Sequence, residues 1–281
     1  EKYSAGEAND IRAEYKIAYN KARGSERLFT WAYAGQPIFD IIHDGQKNAE
    51  ADIIKLANQL KLSSMPEEEA ISTIENYIKT NIVIRENVDR VGIKNMISRK
   101  YGLKEEVIQL YAFLFEQLQI PYQMVLCSDR FEKKFDKDFD TWNFLNDYLI
   151  YFNNSRKYLS PQNILLRYGM YPNNYSGSDA LFIKGVTLGG NKTGIALTKK
   201  IEELPADKND DDTFFDISLS ENLSQVKGVY RRELGGYAAS DIRPIYFLSN
   251  EEDRKMLMSE YLKAYTFKDA DIKNVKIENA D

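Results

Sequence analysis

A change of hydrophobic period near the middle of the chain constrains its fold more than any other feature. From Lys104 to Leu118 the apolar residues Val107, Leu110, Tyr111, Leu114, Phe115 and Leu118 recur at helical spacing. Ile120-Pro121 ends that pattern, because proline has no amide hydrogen and disfavours a helical residue before it. Tyr122–Cys127 then reads as a short apolar strand, and residues 129–140 (DRFEKKFDKDFD) as a charged loop. Phe144–Phe152 is a strong strand, which Asn153-Asn154 turns into a second at Arg156–Leu159. A core helix followed by a strand and a hairpin buries its apolar face by packing helix on sheet, so the expected class is α+β.

The flanks are read by the same rules. Residues 46–61 place Ala49, Ile53, Leu56, Ala57 and Leu60 on one helical face. Ser64 with Glu67 three residues on, and Pro66 between them, predicts a capping-box start to a helix carrying Ala70, Ile71, Ile74, Tyr77 and Ile78. Earlier, Ala13, Tyr15, Ile17 and Tyr19 alternate with polar residues. A turn at Arg23-Gly24-Ser25 and a second strand at Leu28–Tyr33 follow, with Gln36-Pro37 as a break. Two strands are not stable alone, so residues 1–45 are expected to be the C-terminal part of a β domain. After Leu181 the pattern is mostly β: Phe182–Leu188 and Gly194–Leu197 about the turn at Gly189-Gly190-Asn191, then Thr213–Leu219 and Gly228–Arg232. A helix over Glu251–Ala264 and a strand over Ile272–Ile277 close the chain. Residues 176–281 are therefore expected to form a separate C-terminal α+β domain, leaving 46–175 as the central one.

Composition narrows the function classes. With 281 residues and 43% apolar content there is enough material for two or three cores. The net charge of −5, with basic pairs dispersed among acids, argues against a nucleic-acid partner, which needs a concentrated basic face. No apolar run approaches the roughly 20 residues of a bilayer span. One cysteine allows no internal disulfide and no multi-thiolate metal site, and no cofactor is expected.

The order and spacing of the central motifs resemble the bacterial transglutaminase-like domain, a papain-like fold. In that family a Tyr-Gly-x-Cys turn opens the core helix and Ile-Pro follows it. Here Tyr101-Gly102-Leu103-Lys104 opens the helix and Ile120-Pro121 follows. The family's His lies at the start of the next strand, where Leu145-Asn146-Asp147-Tyr148 stands, and its Asp precedes a proline after the hairpin, where Leu159-Ser160-Pro161 stands. The resemblance thus implies a papain-like central domain at 46–175 flanked by β-rich segments, with Lys104, Asp147 and Ser160 in place of Cys, His and Asp. It further implies a catalytically inactive protein of a bacterial cell envelope, periplasmic or on the cell surface. Phe29-Thr30-Trp31 with Pro37 is similar to the end of the β domain preceding such modules in large envelope proteins of the Bacteroidetes. Binding or assembly is the function left to such a scaffold, with an envelope protein or a glycan as partner. A hydrolase or transferase using other residues of the same cleft is the alternative.

Thiol catalysis needs a thiolate, a base and a group that orients the base. An ammonium at a helix N-terminus supplies none of these, and the helix dipole opposes it. Lys104 is expected either to pair with Asp147 across the gap or to be an unrelated surface charge. Trp142 and Tyr148, with Phe144 and Tyr151, are candidates for lining a ligand cleft; core or hairpin packing is the plainer role for such residues.

Other signals point to structure. Cys127 lies in an apolar strand and His43 in the segment after Pro37 expected to be a linker, so a thiol–imidazole dyad is not expected. Gly185–Thr193 contains glycines and Lys192, but its flanks read as two strands, whereas a phosphate loop needs strand then helix. The acidic run Asp207–Asp212 lacks the glycine and closing glutamate of a calcium loop. Glu105 and Glu106 are adjacent on a helix, so they face different directions and suit the dipole of its first turn.

Overall fold

The structure, a computed structural model, describes residues 6–278 apart from 12, 23, 25, 241, 244, 245, 247, 248 and 266–270. It is a mixture of helix and sheet in two compact units, residues 1–203 and 204–281.

In the first unit, after the single turn α1 (Gly6–Asn9), the helices are α2 (Trp31–His43), α3 (Gln46–Gln59), α4 (Glu67–Asn81), α5 (Ile93–Arg99) and α6 (Lys104–Gln117). The strands are β1 (Val83–Ile84), β2 (Tyr101–Gly102), β3 (Gln123–Cys127), β4 (Asp147–Phe152), β5 (Lys157–Leu159), β6 (Asp179–Leu188) and β7 (Asn191–Lys200). β1 and β2 form a two-residue parallel pair. The other five make one antiparallel sheet in the order β5-β4-β3-β6-β7.

α6 is the hub. Every residue from Glu106 to Phe115 is buried, the pattern of a helix surrounded by other elements. α2, α3, α4 and α5 pack around it, and Phe115 meets Phe152 of β4 edge to face at 5.1 Å. Glu106, in its first turn, is 1% exposed and accepts the amides of Leu103 (3.0 Å) and Gly92 (2.5 Å). That satisfies a donor that a helix start leaves open and ties down the approach from α5.

The N-terminal expectation needs correction. Leu28–Tyr33 is not a strand: Thr30 caps α2, its hydroxyl accepting the Tyr33 amide at 3.1 Å. Pro37 lies within α2 instead of breaking it. The face Trp31, Ala34, Ile38, Phe39 and Ile42 is buried, and that tertiary burial outweighs the hydrogen bond Pro37 cannot donate. Gly35 lets the helix approach β7 closely: a Cβ there would lie 2.8 Å from the Gly194 carbonyl oxygen, and one on Gly194 still nearer the Gly35 carbonyl. Of the expected N-terminal strands only a bridge between Tyr19 and Arg27 forms among the described residues. Residues 23 and 25 of the expected turn lie outside the described residues. The described residues of 1–45 thus form no pair of regular strands, and α2 belongs to the same unit as α6.

The expected boundary at 175/176 also moves. β6 pairs with β3 (Met124↔Ile183, Val125↔Phe182) and β7 with β6, so the strands after 176 complete the central sheet. The division between compact units follows Glu203. At the β6–β7 turn Gly189 and Gly190 both have positive φ (57° and 87°), as a tight hairpin requires. At α4 the cap is Pro66, while the Ser64 hydroxyl donates to the Lys61 carbonyl, so the expected capping box is not made.

The second unit contains the hairpin β8 (Asp211–Leu219) and β9 (Val226–Leu234), and helix α7 (Glu251–Tyr265). Arg232 of β9 holds the Asp211 carboxylate with two bonds of 2.7 Å and donates to the Tyr261 hydroxyl of α7 at 2.6 Å. The calcium-loop-like run is engaged internally: Asn209 accepts the Tyr237 amide and Asp211 is held by Arg232. Residues 272–277, expected as a strand, have no regular structure.

Candidate functional site

The N-terminus of α6, the start of β4 and the end of β5 converge. Antiparallel pairing sets this geometry: Asp147 opens β4 opposite Cys127, and Leu159 pairs with Ile150, so Ser160 leaves β5 at the same end of the sheet. Lys104, the first residue of α6, points its Nζ at the Asn146 carbonyl (2.8 Å) and at Asp147 Oδ1 (3.4 Å). The two side chains are about a third exposed, 29% and 32%. The Lys104 ammonium also stands 5.4 Å from the centre of the Tyr148 ring. The carbonyl, the carboxylate and the ring offset the unfavourable helix dipole at this end.

A cavity of about 360 Å³ opens here, lined among others by Asp147, Tyr148, Ser160, Gln162, Ile164 and Tyr175. Ser160 is almost fully buried at its edge. Burial, and after it the charge of the neighbouring Asp147 carboxylate, hold the Tyr175 phenol far above its usual range. Burial pushes the Tyr148 phenol up as well. Asp147, which lines the cavity, thus has a cation on one side and a neutral phenol near it on the other.

Of the residues singled out from sequence, Lys104 and Asp147 are paired, and Asp147, Ser160 and Tyr148 share the cavity. Trp142 does not line it. It lies in a short 3₁₀ turn, half exposed, with its ring 4.6 Å from that of Phe29. Sequence reasoning does not reach Tyr175 or Gln162. Tyr175 follows Pro172-Asn173-Asn174 in a segment without periodicity, and only the folding of that segment over the end of the sheet brings it to Asp147.

Cys127 and His43 form no dyad. The Cys127 thiol is fully buried and lies 3.8 Å from the Asp147 carbonyl oxygen. Burial, then the charge of Asp147, push its pKa well up, which disfavours a thiolate. His43 ends α2 beside the opposite end of α6. Its Nδ1 contacts the Phe39 carbonyl and its Nε2 the Glu116 carboxylate, each at 2.7 Å. Glu105 and Glu106 diverge as expected, since Glu106 is the buried acceptor described above.

The cavity presents the Asp147 carboxylate, the Ser160 hydroxyl and the Gln162 amide beside the rings of Tyr148 and Tyr175. It does not present a thiolate with a free base. Compared with protein-family models, curated proteins and solved structures, the chain matches none.

Proposed function

We propose that this chain is a catalytically inactive relative of the transglutaminase-like superfamily, acting in binding or assembly at a bacterial cell envelope. The observation that carries the reading is the Lys104–Asp147 contact of 3.4 Å at the mouth of a cavity that also includes Ser160. Lys104 and Asp147 touch, Asp147 and Ser160 share the cavity, and the resemblance puts these three in the places of nucleophile, base and orienting group, where none is the family's Cys, His or Asp. An ammonium has no lone pair to attack with, and Asp147 is occupied by it. The partner class is an envelope protein or a glycan, and the location periplasmic or cell-surface. These follow from the resemblance, and the polar, aromatic-edged cavity suits either partner.

The second reading, a hydrolase or transferase using Asp147 with Ser160, is favoured by their sharing one cavity. The two readings separate on turnover. Purified protein incubated with peptide, amide and cell-wall glycan libraries is expected to retain ligand without product. Product that disappears in both Asp147→Ala and Ser160→Ala would establish the enzyme instead.

A further inference from the structure

Four residues lining the cavity, Ser160, Gln162, Asn163 and Ile164, belong to a segment that leaves β5 without regular structure. Such a segment fixes a cavity wall only if something else fixes its backbone. The interior supplies that hold. On α4, Glu75 and Lys79 stand one turn apart, each side chain 2% exposed, with Nζ 2.6 Å from Glu75 Oε1. Each partner also reaches the segment: Lys79 Nζ donates to the Leu166 carbonyl at 2.7 Å, and Glu75 Oε2 accepts the Tyr168 amide at 2.7 Å.

We infer that Glu75 and Lys79 are positioning residues for the cleft: a buried ion pair whose outer atoms clamp the backbone of 166–168 and so hold the wall at 160–164 in place. The inference rests on the cleft being a binding site, as proposed above, but its test does not use the ligand. A buried pair kept only for its own attraction gains little, because desolvation cancels most of it. Here both partners also carry charge-assisted bonds to main-chain atoms of one loop, which are stronger and more directional than neutral ones. Burial pushes the Lys79 ammonium below its ordinary value, and the Glu75 carboxylate works against that. The loop is fixed at its far side by the Gly169 amide donating to the Tyr158 carbonyl (2.8 Å) and by a hydrogen bond between the Tyr168 and Ser155 hydroxyls (2.6 Å). The stretch from 162 to 167 thus hangs between the hairpin and α4.

The test compares the intact chain with Lys79→Met and with the double variant Glu75→Gln/Lys79→Met. The double variant removes both charges at nearly constant volume and with them the Lys79 bond to the Leu166 carbonyl, while the amide oxygen it introduces on α4 leaves only a neutral, weaker acceptor for the Tyr168 amide. With no unpaired buried charge, it folds even where the single variant, with a lone buried carboxylate, does not. Two readouts are followed in the double variant: hydrogen exchange of amides 162–168, and the rate at which N-ethylmaleimide modifies Cys127. That cysteine is the chain's only one, and its buried thiol lies 3.8 Å from the carbonyl oxygen of Asp147, a residue that lines the cleft. The expected result is at least tenfold faster exchange at 162–168 and at least threefold faster thiol modification, with exchange in α6 and β3 unchanged. Unaltered exchange at 162–168, or acceleration spread equally through α4, α6 and β3, overturns the inference. Neither outcome bears on whether the cleft binds a ligand, which the turnover and retention assay decides separately.

Discussion

At its C-terminal end α6 presents Glu116 to donors from three other elements, whereas at its N-terminal end Lys104 meets one carboxylate and one carbonyl. Glu116 receives His43 at the end of α2 (2.7 Å), Gln46 at the start of α3 (2.9 Å) and Lys192 of β7 (2.8 Å), and is 17% exposed. Burial alone raises a carboxyl pKa. Here the bonds from His43, Lys192 and Gln46 outweigh burial and hold Glu116 at about 2. The other end has a longer ion contact, less shielding and a cavity beside it. Two charged clusters on one helix can therefore differ in purpose. The one that joins elements is structural, and the one that leaves polar atoms facing open volume is the candidate site.

The comparison breaks most readily at the closed end. Glu116→Ala leaves three donors without their shared acceptor, and a loss of about 3 kcal/mol is expected in denaturant unfolding. A loss below about 1 kcal/mol would put both ends in the same class. Next, Gly35→Ala forces a methyl into the backbone of β7 and should cost about 2 kcal/mol, with the largest rise in hydrogen exchange in α2. A smaller effect is expected from acid. The folded carboxyl of Glu116 titrates at about 2, below its ordinary 4.5. Its contribution is thus complete above the unfolded value and lost as pH falls from there through 2. A stability profile between about pH 5 and 2 should be shallower in Glu116→Gln than in the unaltered chain; parallel profiles would remove Glu116 from the account. The smallest effect belongs to the open end: Asp147→Asn, at a pair about a third exposed, should change stability by less than about 1 kcal/mol. A larger loss would mean that the cleft pair, too, holds the fold together.

Where one hydrophobic period runs uninterrupted, the sequence is legible. α3, α6 and β3 lie where spacing places them, as does the β4–β5 hairpin except that β4 begins at Asp147 and Phe144 ends a 3₁₀ turn, and Ala49, Ile53, Leu56 and Ala57 are the buried face of α3. α2 reads wrongly because Pro37 and an apparent alternation at Leu28–Tyr33 mask a helical face that is stabilised by tertiary contact with β6, β7 and α6. α5 and the β1–β2 pair escape because two to seven residues carry too few periods to register. The assignment of β6 and β7 to another domain fails for a different reason. A hairpin's own pattern does not say which sheet its strands join, and the register Met124↔Ile183 links residues far apart in the chain. The site shows the same division. Lys104, Asp147 and Ser160 can be picked out from motif order. Tyr175, and the hold of Glu75 and Lys79 on the segment after Ser160, depend on where an aperiodic stretch comes to rest.

The contrast between the two ion pairs around the cleft has a consequence for its response to electrolyte. Raising the ionic strength from about 0.15 M to 1 M shrinks the screening distance from about 8 Å to about 3 Å. That weakens attraction between partly exposed partners such as Lys104 and Asp147 far more than between Glu75 and Lys79, whose side chains are 2% exposed. Brine should therefore uncouple the charges at the entrance while the wall behind them keeps its shape.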